Sequence, residues 1–159
     1  MTKEIAYCSC DPGAKGSFCL LIPSTKQVMF KPTTDKPELI LKWLNQIQAE
    51  FNLRVILIED VHAIFGTSAK SNFNFGFNTG VVNAISMASG ASVDRVTPKT
   101  WQKAMGVKTK GKAIKKEVAD ICERLYPQVN IRGKRNGLLD GLSDSLLIAH
   151  YAYLKYNQL

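Results

Sequence analysis

Apolar positions at the start of the chain fall into three short runs, residues 5 to 10 (IAYCSC), 17 to 22 (SFCLLI) and 27 to 31 (QVMFK). They are separated by a Gly-containing segment from Asp11 to Gly16 and by Pro23 to Lys26. Short apolar or alternating runs between such breaks predict three antiparallel strands in a meander. The period then lengthens: Leu39, Ile40, Trp43, Leu44, Ile47 and Phe51 recur at helical spacing. This predicts an amphipathic helix over 36–51, with Asp35 as its N-cap and Pro37 in its first turn. Residues 53 to 58 are β-branched and largely apolar, as expected of a strand buried on both faces and running parallel to the first, and Glu59 follows at its end.

Residues 73 to 90 mix glycine and small residues with apolar ones and predict a helix from about Thr79 to Ser89. A short strand is expected over 91–96. Thr97 and Pro98 open a helix through Ala104, Lys112 to Leu125 form another that Pro127 ends, and a final helix runs from about Leu138 to Leu154. Leu142, Leu146, Ile148 and Ala149 are among its apolar positions. Without repeats or long linkers, the chain is expected to form one domain over 1–159. Its class is α/β, a mixed sheet combining a three-strand meander with parallel strands, flanked by helices.

A length of 159 residues supports a core that needs no disulfide or metal staple. Composition, at 45% hydrophobic and 21% charged, is that of a globular protein. No stretch approaches the ~18 apolar residues of a membrane span, and Met1 to Glu4 lack a signal-peptide pattern, so a cytoplasmic protein without membrane contact is expected. Cys8 and Cys10 alternate along the first strand and face one side as small buried hydrophobes; Cys19, Cys122, His62 and His150 are too scattered for a zinc site.

Charge changes the picture. The chain carries a formal +8, with 21 Lys plus Arg against 13 acids, yet Asp11 and Glu59 each end an apolar strand and Asp140 and Asp144 lie four apart, on one helix face. Singly, each acid has a plainer role: Asp11 in a turn, Asp140 as a helix cap, Asp60 as the more exposed neighbour of Glu59. Jointly, acids closing apolar runs at separate places in a basic chain point to a shared divalent cation, with a polyanion outside.

The polyanion has candidate contacts. Residues 95 to 116 hold Arg95, Lys99, Lys103, Lys108, Lys110, Lys112, Lys115 and Lys116 with no Asp or Glu, and Arg132, Lys134 and Arg135 form a second basic group. Such a run, usually only a solvated face, here suits a phosphate-tracking surface. Between Glu59 and the next predicted helix, Phe65, Phe73, Phe75 and Phe77 sit in a segment rich in Gly, Ser and Asn, read as a loop. Exposed phenylalanines there suit stacking on bases or wedging between them, with Lys70 and Asn72 near the backbone.

Taken in order, Asp11, Pro12 and Gly13; Ile58 and Glu59; Gly76 to Gly80; Thr97 to Trp101; the lysine-rich helix; and Leu139 to Ala149 resemble the RuvC family of Holliday-junction resolvases over nearly the whole chain. The resemblance implies an RNase H-like fold and a homodimer that binds a four-way DNA junction. It implies symmetric cutting of two opposing strands with Mg²⁺ or Mn²⁺, leaving 5′-phosphate ends. Asp11, Glu59, Asp140 and Asp144 match the metal-binding acids. An aromatic after Glu59 (Phe65, Phe73 or Phe75) matches the residue inserted at the junction centre, and Lys103 or Lys112 a phosphate-contacting lysine. The family's last two metal-site residues are three apart; here the spacing is four, and Gly141 holds the three-apart position. The expected chemistry is two-metal phosphodiester hydrolysis with no covalent intermediate, Asp11 bridging the ions. Rival readings are a nuclease of the same fold acting on flaps, branched DNA or RNA–DNA hybrids, a non-catalytic nucleic-acid-binding module, and a structural protein with an acidic partner.

Overall fold

The computed structural model describes residues 2–157. Strands β1 (Ile5–Cys10), β2 (Ser17–Ile22) and β3 (Gln27–Pro32) form the antiparallel meander that the apolar runs predict. After helix α1 (Pro37–Glu50), β4 (Asn52–Glu59) returns parallel to β1. Helix α2 (Ala69–Ala88) leads to β5 (Val93–Val96), parallel to β4, giving the order β3-β2-β1-β4-β5. Three helices follow: α3 (Pro98–Ala104), α4 (Ala113–Leu125) and α5 (Asp140–Tyr156).

Strand alternation divides the core into two layers. Ala6, Cys8, Leu20, Ile56 and Ile58 face α1 and α2, where they meet Ile40, Leu44, Ile47, Val82 and Ile85. Tyr7, Cys19, Leu21, Val55 and Leu57 face the other way, against α5 and the flanking α3 and α4. The parity places the chemistry. Asp11 continues the Tyr7 and Ser9 register and Glu59 that of Val55 and Leu57, so both acids belong to the α5 side. Cys8 and Cys10 share one layer as expected, Cys19 and Cys122 lie in the other, and all four are buried free thiols.

Three expectations need correction. Lys70, Phe73, Phe75 and Phe77 lie in the first half of α2, not in a loop. Asn, Ser and Gly are weak helix formers, but Ser68 caps this helix by accepting from the Ser71 N–H at 3.1 Å, and burial of Val82 and Ile85 anchors its far half. Asp35 does not cap α1; its carboxylate pairs with Lys31 at 2.8 Å, and Lys36 occupies the cap position without a side-chain hydrogen bond. β5 starts at Val93, two residues later than expected, because Ala91 and Ser92 follow the left-handed turn at Gly90 (φ 77°). Among the described residues no helix is long and apolar enough to cross a membrane.

Candidate active site

Parallel β1 and β4 are adjacent, so their C-terminal ends deliver Asp11 and Glu59 to one edge of the sheet. The Asp11 backbone N–H donates to Ser17 O at 3.1 Å, and its Oδ1 accepts from the Gly13 N–H at 3.0 Å. These bonds hold the side chain at the mouth of the β1–β2 turn. Glu59 is only 8% exposed, and its Oε1 accepts a 2.8 Å hydrogen bond from Nε1 of Trp101. Thr97 and Pro98 start α3 so that the fully buried Trp101 indole reaches this carboxylate, the Thr97 hydroxyl capping the Thr100 N–H.

Helix α5 brings the other pair. It is tied to β1 by the Ser9 hydroxyl, which donates to Ser145 O at 2.5 Å, and its first turn packs directly on the β1–β2 turn. A Cβ at Gly141 would lie 2.1 Å from the Lys15 carbonyl oxygen, and one at Gly16 would lie 1.9 Å from the Asp11 carbonyl oxygen. Bare backbone at both positions therefore permits the approach. A side chain at 141, the three-apart position, cannot fit this packing. The additional acid stands instead at Asp140, the first residue of α5, where it ion-pairs with Lys115 of α4.

Asp11, Glu59 and Asp144 are each shifted by burial and by neighbouring acids. Burial, then the neighbouring Asp11, Glu59 and Asp140, push the Asp144 carboxyl up to about 8. Burial and the Asp11 charge push Glu59 up to about 7, against the lowering effect of Trp101. Asp11 is raised by burial, while the Gly13 N–H opposes the rise. Lys115 is raised chiefly by its bond to Asp140, with Asp144 and Asp11 adding to it. Mutual repulsion of this kind disfavours full ionisation unless positive charge enters. Asp144 accepts no side-chain hydrogen bond from the described residues.

The donor set suits a hard divalent cation, since every candidate donor is a carboxylate oxygen and those of Asp11, Glu59 and Asp144 are largely removed from water. The cage is open as it stands: among the described residues no three His, Cys, Asp or Glu side chains are close enough together to hold an ion. The Lys115 ammonium, paired with Asp140, supplies the local counter-charge.

No family model and no curated protein matches the chain by sequence. Solved structures match its architecture. Thermus thermophilus RuvC superposes with a TM-score of 0.61 at 16% identity, over 96% of each chain. T. thermophilus RuvC in complex with a Holliday junction substrate gives 0.60 at 16%, over 94% of this chain and 95% of that one. The yeast mitochondrial Holliday junction resolvase gives 0.50 at 15%, over 99% and 88%. The chain has the RuvC fold.

Around the acid edge of this RuvC fold, the predicted basic surface divides. Lys115 turns to the acids, Lys116 pairs with Asp120 at 2.7 Å, and Arg95 donates to Asn83 at 3.1 Å. Lys99, Lys103, Lys108, Lys110 and Lys112 are exposed and make no ion pair with the described residues. Three of them belong to the α3–α4 connection, whose shape depends on Glu117. That carboxylate accepts from the Lys108 and Thr109 N–H groups and the Thr109 hydroxyl, which lowers its pKa. Of the aromatics, Phe65 is fully exposed, Phe73 (72%) and Phe77 (63%) share the outer face of α2, and Phe75 is half-buried. Lys70 is exposed in the first turn of α2.

Sequence reasoning missed Trp101 as the partner of Glu59, Ser9 as the tie to α5 and Glu117 as the clamp. The Thr97-Pro98 helix start signalled α3, but nothing local reveals the target of its indole. The Glu117 carboxylate, the first acid after the run of cations, was the available clue to the third.

Proposed function

We propose that this chain is a divalent-cation-dependent endonuclease that resolves four-way DNA junctions by paired, symmetric phosphodiester cleavage, as in DNA recombination and repair. One observation carries the reading. Four acids from β1, β4 and α5 couple at one sheet edge beside a surface of exposed lysines, in a fold shared with a RuvC solved on a Holliday junction.

Asp11, Glu59 and Asp144 are the proposed holders of Mg²⁺ or Mn²⁺, with Asp140 completing the set. Cations bound there would stabilise the charge of the attacked phosphodiester and lower the pKa of water. The protein's own groups do the rest. Trp101 fixes the rotamer of Glu59 and offsets part of its raised pKa. Lys115, paired with Asp140, keeps a mobile positive charge at the edge of the acids, available to a phosphate. Lys99, Lys103, Lys108, Lys110 and Lys112 track the DNA backbone, each contact releasing counterions.

Phe65 and Phe73 are the aromatics assigned to unstacked bases at a junction centre, because both are exposed after Glu59, Phe65 ahead of α2 and Phe73 on its outer face. Two active sites are needed for paired cuts, so the working species is proposed as a homodimer. Phe77 and Met87, both exposed on α2, are apolar surface that a second copy would cover.

The test is cleavage of a mobile four-way junction, a flap and an RNA–DNA hybrid with Mg²⁺ or Mn²⁺, with products mapped on every strand. Matched nicks in opposing strands of the junction alone are expected. Equal cutting of flaps or hybrids would replace junction specificity by a broader nuclease, and binding without any cutting would leave a nucleic-acid-binding module.

A further inference from the structure

A cleft of about 300 Å³ opens beside the acid edge, between the β1–β2 turn and the start of α2. Its walls are apolar: Ala14 from the turn that carries Asp11, Ile64 from the segment after Glu59, and half-buried Phe75 from α2. Its polar groups are of two kinds. Thr67, Ser71 and Asn72 are committed to holding the wall. The Asn72 amide bridges the Ile64 N–H (3.0 Å) and carbonyl (3.2 Å), the Thr67 hydroxyl donates to Ile64 O at 2.9 Å, and the Ser71 N–H donates to the Ser68 cap. Asn74 and Asn78 lie one turn apart on α2, line the same cleft, and make no side-chain hydrogen bond to the described residues. A wall braced by one set of polar groups, with two amides left free and an aromatic ring among them, is prepared for a flat ligand with hydrogen-bonding edges.

We infer that this cleft receives one unstacked nucleobase next to the scissile phosphate, with Asn74 and Asn78 reading its edge and Phe75 packing against it. The inference rests on the junction-nuclease reading and adds a sequence preference to it. A carboxamide offers one donor and one acceptor side by side, the pattern that pairs with a base edge. Aromatic rings retain extruded bases by stacking, whatever their identity, so the amides are left to discriminate. The location fits: Gly13, whose N–H holds Asp11, directly precedes Ala14 of the cleft wall, so the turn that carries the acid also carries the cleft.

The experiment uses the full chain carrying Asp11→Asn, expected to bind without consuming substrate, and four-way junctions with 2-aminopurine placed singly at successive positions around the crossover. One position is expected to change its emission on binding while the others stay flat, and Asn74→Ala with Asn78→Ala should reduce that change about fivefold or more. In parallel, the protein with Asp11 intact is mapped on junctions randomised near the crossover. Its preference at that same position should fall by about fivefold to a hundredfold in the double alanine variant. Asn78→Asp, which keeps the shape but removes the donor, should change the favoured base and guards against a double variant that folds poorly. A bound junction with uniform emission, or an unaltered cleavage preference in these variants, overturns the cleft as a base site while the nuclease reading stands. Failure to bind any junction overturns both.

Discussion

The acid edge and the lysine loop beside it carry opposite charges and are built in opposite ways. The acids are held by the fold around them: Glu59 by Trp101, Asp11 by Gly13, and Asp144 through a helix that Ser9 ties to β1 and Gly141 brings onto the turn. The lysines stand in solvent on a connection whose shape rests largely on Glu117. Groups that repel must be held to stay together, whereas groups that meet a long polyanion gain from reach. Precision is concentrated where charge is unfavourable, and adaptability where it is cheap.

The comparison can be broken first at the acids. Asp11→Asn should lower junction cleavage by more than about 100-fold, beyond the 10- to 100-fold typical of groups that only support metal ligands, with junction binding retained in a gel-shift assay. Trp101→Phe removes one donor from Glu59 and should fall within that supporting range in turnover or in the Mg²⁺ concentration needed for half-maximal cleavage.

Stability should reveal the same crowding. Glu59 and Asp144 are shifted upward from ordinary values of 4.5 and 3.8 to about 7 and about 8, so the folded state holds protons that the unfolded state has released. In the absence of divalent cation, the stability these two carboxyls contribute should therefore be fullest below about pH 4 and be lost progressively as pH rises through 7 to 8, by several kcal/mol. A melting series across that range should flatten in Asp144→Asn; an unchanged slope would show that the acids do not share a site. Gly141→Ala forces a methyl toward the Lys15 carbonyl and should cost about 1 to 3 kcal/mol in urea unfolding.

The basic side sharpens the contrast with the smallest effects. Replacing Lys108, Lys110 or Lys112 by Gln should leave the melting temperature in place and reduce the slope of log affinity against log salt by about 0.9 for each phosphate no longer neutralised. A loss of stability comparable with that of Gly141→Ala would place these lysines in the fold rather than on its surface.

What could be read from the chain divides along the same line. Periodic burial writes itself into sequence, so β1 to β4, α1, α4 and α5 follow from their apolar spacing, and the acids from their places at strand ends. α2 does not: phenylalanines at 73, 75 and 77 give an alternating pattern in a stretch of weak helix formers, and the helix there depends on the Ser68 cap and on Val82 and Ile85 packing elsewhere. The pairing of Trp101 with Glu59 was equally hidden, because nothing near either residue links them until α3 crosses the end of β4. Asp35 shows the reverse case, a good cap residue that a nearby lysine claims instead.

The bare α-carbon at 141 has a consequence for anyone redesigning this molecule. Because helix and turn touch there through main chain alone, the register of the acids on α5 and the path from Asp11 to Gly16 are one part made from two distant segments. Moving a carboxylate to position 141 by a single substitution should jam the joint; the transplant succeeds only if the turn is rebuilt with it.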